Sequence, residues 1–180
     1  IGEEAGAALS TGDVNTFVGY QSGDATTTSG NNVGVGYASL TTNILSSKNV
    51  AIGNNALKTH NLGSAGEGLN VAIGHGAGEE ITTGLSNTLI GGQAGDALTV
   101  AYYNVAVGEG ALSADVQGSR SVAVGWNALN DQSFGSATES YNTAVGFEAG
   151  CKITSGANNT FVGSLAGDAL TTSNSNTAIG

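Results

Sequence analysis

Bulky side chains are scarce in this sequence. Methionine and proline are absent, and one Trp, five Tyr and four Phe are the only aromatics. A chain of 180 residues is long enough for an ordinary globular core, but this one lacks the material to fill it. Its apolar residues are mostly Ala, Val, Ile and Leu, which suits a thin interior of stacked small side chains. Cysteine is nearly missing too. Cys151 is the only one, so no disulfide within the chain is possible, and its counterparts 72 and 144 residues earlier, Glu79 and Ala7, argue against a catalytic thiol.

Basic charge is the next scarcity. Lys48, Lys58, Arg120 and Lys152 stand against fourteen acidic residues, a net charge of −10. Such a surface repels phosphate backbones and anionic headgroups, so neither nucleic acid nor a membrane surface is an expected partner. Long apolar runs are also missing: nothing approaches the ~20 residues of a membrane-spanning helix, and no membrane insertion is expected of this segment. An enzyme needs convergent acids, bases or nucleophiles at unique places. Here nearly every polar residue belongs to a repeat, so no catalytic residue, cofactor or metal site is expected, and His60 and His75 read as isolated surface histidines.

What the chain has in abundance is one motif. Asn49-Val50-Ala51-Ile52-Gly53 returns in close copies that close on Gly19, Gly36, Gly53, Gly74, Gly91, Gly108, Gly125, Gly146, Gly163 and Gly180. The steps are 17 residues, with a step of 21 at every fourth copy, and they build a longer period of 72 residues. Thus Ala94-Gly-Asp-Ala-Leu-Thr99 recurs as Ala166-Gly-Asp-Ala-Leu-Thr171. Self-similarity of this kind marks a stacked array. Residues 1–180 therefore read as a single repeat array of about ten coils, cut from a longer chain.

Counting from the Asn, position two is always Thr or Val and position four always Val or Ile. This alternation predicts a short strand with its β-branched face buried. Position three, pointing the other way, is never polar, and Phe17, Leu89 and Phe161 occupy it at intervals of 72. Both faces of the strand are thus expected to be covered, one by the coil itself and one by a neighbouring chain. The invariant Gly at position five implies a positive φ or a close backbone approach. Position eight, always Ala or Ser, predicts a tight inner corner, and position nine alternates in pairs of Gly and Leu. The Asn residues would stack as an amide ladder. A second, weaker strand is expected at Ile81–Thr83, Leu98–Val100, Ile153–Thr154 and Leu170–Thr172. Stacked at ~4.8 Å, such coils form a rod roughly 50 Å long. The fold class is all-β, a parallel β-solenoid.

Position six is the freest: Tyr20, Tyr37, Asn54, His75, Gly92, Glu109, Trp126, Phe147 and Ser164 occupy it in turn. A position so unconstrained faces solvent, and Tyr20, Tyr37, Trp126 and Phe147 are candidates for surface binding by stacking. The longer inserts, Lys58 to Leu69 and Asn130 to Tyr141, should protrude on one side, where solenoids often carry binding.

Asn49-Val-Ala-Ile-Gly53 and Asn70-Val-Ala-Ile-Gly74 resemble the head repeats of trimeric autotransporter adhesins. Asn142-Thr-Ala-Val-Gly-Phe-Glu-Ala-Gly150 and Asn15-Thr-Phe-Val-Gly-Tyr-Gln-Ser-Gly23 are similar to the arrays of phage tail fibres and large bacterial surface proteins. The resemblance implies a homotrimeric parallel β-roll in an extracellular fibre, on a cell surface or a virion, with no catalytic residue. The expected function is a structural fibre or adhesin segment whose loops meet a surface glycan or protein receptor. Two alternatives stand beside it: a repetitive-face binder of ice or glycan, and the solenoid part of a tail-spike-like enzyme whose catalysis lies elsewhere.

Overall fold

The computed structural model describes residues 1–180, and no helix occurs in it. Ten three-residue strands each take positions two to four of one motif copy: β1 (Thr16–Val18), β2 (Val33–Val35), β4 (Val50–Ile52), β6 (Val71–Ile73), β7 (Thr88–Ile90), β8 (Val105–Val107), β10 (Val122–Val124), β12 (Thr143–Val145), β13 (Thr160–Val162) and β14 (Thr177–Ile179). They lie side by side in that order as one parallel sheet. Two small parallel sheets form besides, from β3 (Ser46–Ser47) with β5 (Gly66–Glu67) and from β9 (Gly118–Ser119) with β11 (Thr138–Glu139). The architecture is a β-solenoid of stacked coils.

Each strand stops at its glycine for a steric reason. Gly91 has φ +137°, and a Cβ there would lie 2.5 Å from the carbonyl carbon of Gly108 in the next coil. The coils pass so closely at this corner that only a hydrogen fits between them.

Register follows the motif throughout: Val18 pairs with Val35, Val35 with Ile52 and Ile52 with Ile73. The direction of the side chains reverses the expectation. Position three points inward, with Ala51, Ala72, Leu89, Ala106, Ala123, Ala144 and Phe161 fully buried. The β-branched positions face outward, and Val18, Ile52 and Ile90 are each 37% exposed. A period of two puts neighbours on opposite faces without saying which face is inside. A coil this narrow has room for one file of side chains from the strand, and the file that varies between Ala, Leu and Phe is the one that fits.

The interior is filled from the opposite wall by positions eight, nine and twelve. Ala56, Ala77, Ala94, Ala111, Ala128 and Ala149 make the buried corner at position eight. Position nine follows a size rule. Gly23, Gly150 and Gly167 lie directly against Phe17 or Phe161, and Gly78 and Gly95 against Leu89. Buried Leu40, Leu57, Leu112 and Leu129 fill the same position in coils whose position three is Gly or Ala. Position twelve answers in turn: apolar Ile81, Leu98 and Ile153 where position nine is Gly, with buried Thr26 beside Gly23 the exception, but buried Asn43, His60, Asp115 and Gln132 where it is Leu. His60, expected at the surface, is fully buried.

The Asn residues form the expected ladder along the solenoid. Asn87 accepts the backbone N–H of Asn104 on its Oδ1 at 3.0 Å, while its Nδ2 donates to Asn70 Oδ1 at 3.1 Å and to the Ala101 carbonyl at 3.0 Å. Ser121 interrupts the file. There Gln132 reaches in from the second insert and accepts from Asn142 Nδ2 at 2.8 Å, replacing the amide that Ser121 lacks.

The expected second strands do not form. Ile81–Thr83, Leu98–Val100, Ile153–Thr154 and Leu170–Thr172 lie outside every strand, because left-handed residues such as Gln93 (φ 55°) and Gly95 (φ 57°) fold this wall into tight turns. Leu98 N–H closes one such turn on the Gly95 carbonyl at 3.2 Å. The inserts return as β5 and β11, each beside the preceding coil, and each carries a surface ion pair, Lys48 with Glu67 and Arg120 with Glu139.

Candidate functional site

Stacking of whole coils makes every solvent-facing position a file running along the rod. At position six the backbone fixes this directly: Asn127 N–H donates to the Glu109 carbonyl at 3.0 Å and Glu148 N–H to the Trp126 carbonyl at 2.8 Å. Glu109, Trp126 and Phe147 therefore stand in three consecutive coils. The Trp126 and Phe147 rings stack at 5.0 Å between centroids and 16° between planes. Tyr20 and Tyr37 stack likewise, at 5.5 Å and 12°. The four aromatics singled out in the sequence are all exposed, and the structure gathers them into two separate pairs.

Only the Trp126 pair borders a cavity. A groove of about 300 Å³ opens beside it, lined among others by Gln93, Asp96, Glu109, Asn127 and Asn130. Gly110 also lines it. This glycine has φ +67°, and a Cβ there would lie 2.2 Å from Asn127 Oδ1. Asn130 is held rigidly, its Nδ2 donating to the Gly110 carbonyl at 2.9 Å and to Ser113 Oγ at 2.8 Å. Asp96 is less satisfied: its Oδ1 is buried without a hydrogen-bond partner, and burial pushes its carboxyl above the usual aspartate range.

The groove departs from the 72-residue period. One unit earlier, Trp126 corresponds to Asn54, Gly110 to Ala38, Glu109 to Tyr37 and Asn130 to Lys58. Lys58 there pairs with Glu79 at 3.1 Å. A repeat array conserves its scaffold by register, so a place where four substitutions coincide to open a cavity stands apart from its background.

A second surface cluster escaped sequence reading. Arg120 lies over the rings of Tyr103 at 5.1 Å, Tyr102 at 5.7 Å and Tyr141 at 5.9 Å. Its Nε donates to Glu139 at 3.1 Å, and the Tyr141 hydroxyl donates to the same carboxylate at 2.6 Å. The Tyr141 hydrogen bond and the Arg120 charge hold the Glu139 carboxyl below its usual range. These residues come from three successive coils, and only the fold places them together. The cluster is mutually satisfied and borders no cavity, whereas Asp96, in the lining of the groove, keeps an unpaired oxygen.

No protein-family model matches this sequence, and neither a curated protein nor a solved structure matches it.

Proposed function

We propose that this chain is a segment of an extracellular structural fibre or adhesin, on a cell surface or a virion, built of 17-residue coils with a 21-residue coil every fourth and assembled as a homotrimer. The observation that carries this reading is the outward face of the ten-stranded sheet. Positions two and four present two unbroken files of Thr, Val and Ile along its whole length, as in Val105 and Val107 followed by Val122 and Val124. No charged side chain interrupts them. An apolar, β-branched face of that regularity is an interface composition, and burying it against copies of itself removes it from water. The rod then acts by length and stiffness, while position six and the two inserts stay outward to meet a glycan or protein receptor. No residue is assigned a catalytic role.

Sedimentation equilibrium tests the assembly. A trimer gives three times the 17.6 kDa of the chain, and a monomer at micromolar concentration overturns it.

A second reading draws on the same face. Thr16, Thr88, Thr143, Thr160 and Thr177 stand outward at position two, the last three in consecutive coils, so a short Thr file is available there for a repetitive ligand such as ice. Thermal hysteresis in a monomeric preparation distinguishes this reading from the fibre.

A further inference from the structure

We propose that the groove beside Trp126 is a binding subsite for one neutral pyranose ring, with Trp126 as the stacking platform and Asp96 and Glu109 as acceptors for sugar hydroxyls. The inference deepens the adhesive reading, since it names the chemistry of the receptor, but it uses residues of one chain only.

Four observations converge. The first is the platform. Phe147 lies flat against Trp126, which holds the indole in one orientation while 42% of the residue remains exposed. An aromatic surface that is already ordered loses little entropy on binding, and its π-face suits the apolar C–H face of a pyranose. The second is size. About 300 Å³ is at the low end of small-molecule sites, enough for a single ring.

The third is the polar complement. The half-buried Asp96 carboxylate lines the groove, and a sugar hydroxyl is a neutral donor to the part of it that faces the opening. Glu109, Gln93 and Asn127 supply further acceptors and donors around the opening. No Lys or Arg lines the groove, so a sialic or uronic acid would bring a carboxylate against Asp96 and Glu109 uncompensated. The ligand class is therefore neutral.

The fourth is Gly110, a lining residue whose missing side chain makes room for Asn127 Oδ1 at the wall of the groove. In the equivalent corner of other coils the chain carries Asn55 and Asn127, both with the left-handed φ that Gly110 also has. Gly110→Asn therefore keeps a φ that asparagine adopts elsewhere in this chain, while its side chain displaces Asn127 Oδ1 from the wall of the groove.

Trp126 is the only tryptophan of the chain, so its emission reports on the site without background. The experiment titrates the full chain with methyl glycosides of glucose, galactose, mannose and N-acetylglucosamine, and with glucuronate and sialic acid. The expected result is a saturable change in Trp126 emission with at least one neutral glycoside and none with the two acids. Gly110→Asn should weaken that binding at least tenfold while its circular dichroism spectrum and unfolding midpoint stay close to those of the parent. Asp96→Asn should weaken it severalfold, an effect a purely apolar contact would not show.

No response to any neutral glycoside overturns the proposal, as does binding that survives Gly110→Asn or an equal response to the acids. A trimer that binds no sugar removes this inference and leaves the fibre reading standing; a monomer that binds sugar does the reverse.

Discussion

The ring of Phe161 occupies the space that Gly167 leaves open: a Cβ on Gly167 would lie 2.4 Å from its Cδ1 and Cε1. Gly150 in the preceding coil leaves the other half of that space, with its own Cβ position 2.5 Å from Cδ2 of the same ring. The long period of the sequence is therefore a volume code, in which a large residue at position three is flanked by two glycines at position nine.

That code predicts a graded response at Phe161. Phe161→Ala removes a fully buried ring from a site whose glycine walls cannot collapse, and should cost about 3–5 kcal/mol. Phe161→Leu should cost under about 1.5 kcal/mol, because Leu89 fills the equivalent place between Gly78 and Gly95. Urea denaturation of the two variants checks the ranking. Equal losses would mean that the cavity relaxes and the code has no energetic content.

The position-five glycines that a further coil covers should tolerate no side chain. Gly91→Ala places a methyl 2.5 Å from the backbone of Gly108 at a φ of +137°, so strain and overlap add, and neither neighbour is a flexible side-chain tip. A loss of at least about 3 kcal/mol is expected. Gly63→Ala is the control: a Cβ there meets nothing within 4 Å, and its positive φ alone should cost about 1 kcal/mol.

Much of this fold was legible before any coordinates. The invariant Gly, the recurrent Asn and the β-branched positions gave the strand, its end and its register, because each is set by contact with the same position one coil away. The inside and outside of the sheet were not legible. Val50 and Ile52 are the more hydrophobic pair, and a rule that buries the greasier face selects them. What decides is the girth of the coil, which admits Ala51 and its equivalents and leaves the β-branched pair outside. The second wall misled for a related reason: Ile81 and Leu98 are buried by tight left-handed turns rather than by a strand. At the candidate site, Trp126 and Phe147 were visible as exposed aromatics. Asp96 and Gly110 were not, because the groove arises from residues 14 to 30 positions apart that only coil stacking brings together.

The outward face yields a prediction that separates folding from assembly. Val107 lies partly exposed in the middle strand β8 and pairs with Ile90 and Val124. In a trimer Val107→Glu places one buried carboxylate per chain near two others, a like-charge cluster without compensation. Sedimentation should show dissociation to the 17.6 kDa chain, while circular dichroism retains the β signal. An unchanged mass would mean that this face is not the interface.

Protonation of His60 gives the last test. The imidazole is fully buried, its Nε2 2.9 Å from Ser46 Oγ and its Nδ1 without a partner. Burial lowers its pKa from 6.5 to about 4. An unfolded chain therefore takes up this proton first as the pH falls. The contribution of neutral His60 is fully present above pH 6.5 and is lost progressively towards pH 4, where the folded protein also titrates. The difference amounts to about 3 kcal/mol at 1.36 kcal/mol per unit. Asp115 runs the other way: burial raises its pKa, so its contribution declines as the pH rises through the aspartate range. Comparison with His60→Gln isolates the histidine, since Gln132 already occupies the same place 72 residues later. Relative to that variant, the parent chain should lose about 3 kcal/mol between pH 7 and pH 4. A difference in stability that stays constant over this range would show that His60 takes up its proton equally in the folded and unfolded chains, so that burial does not lower its pKa.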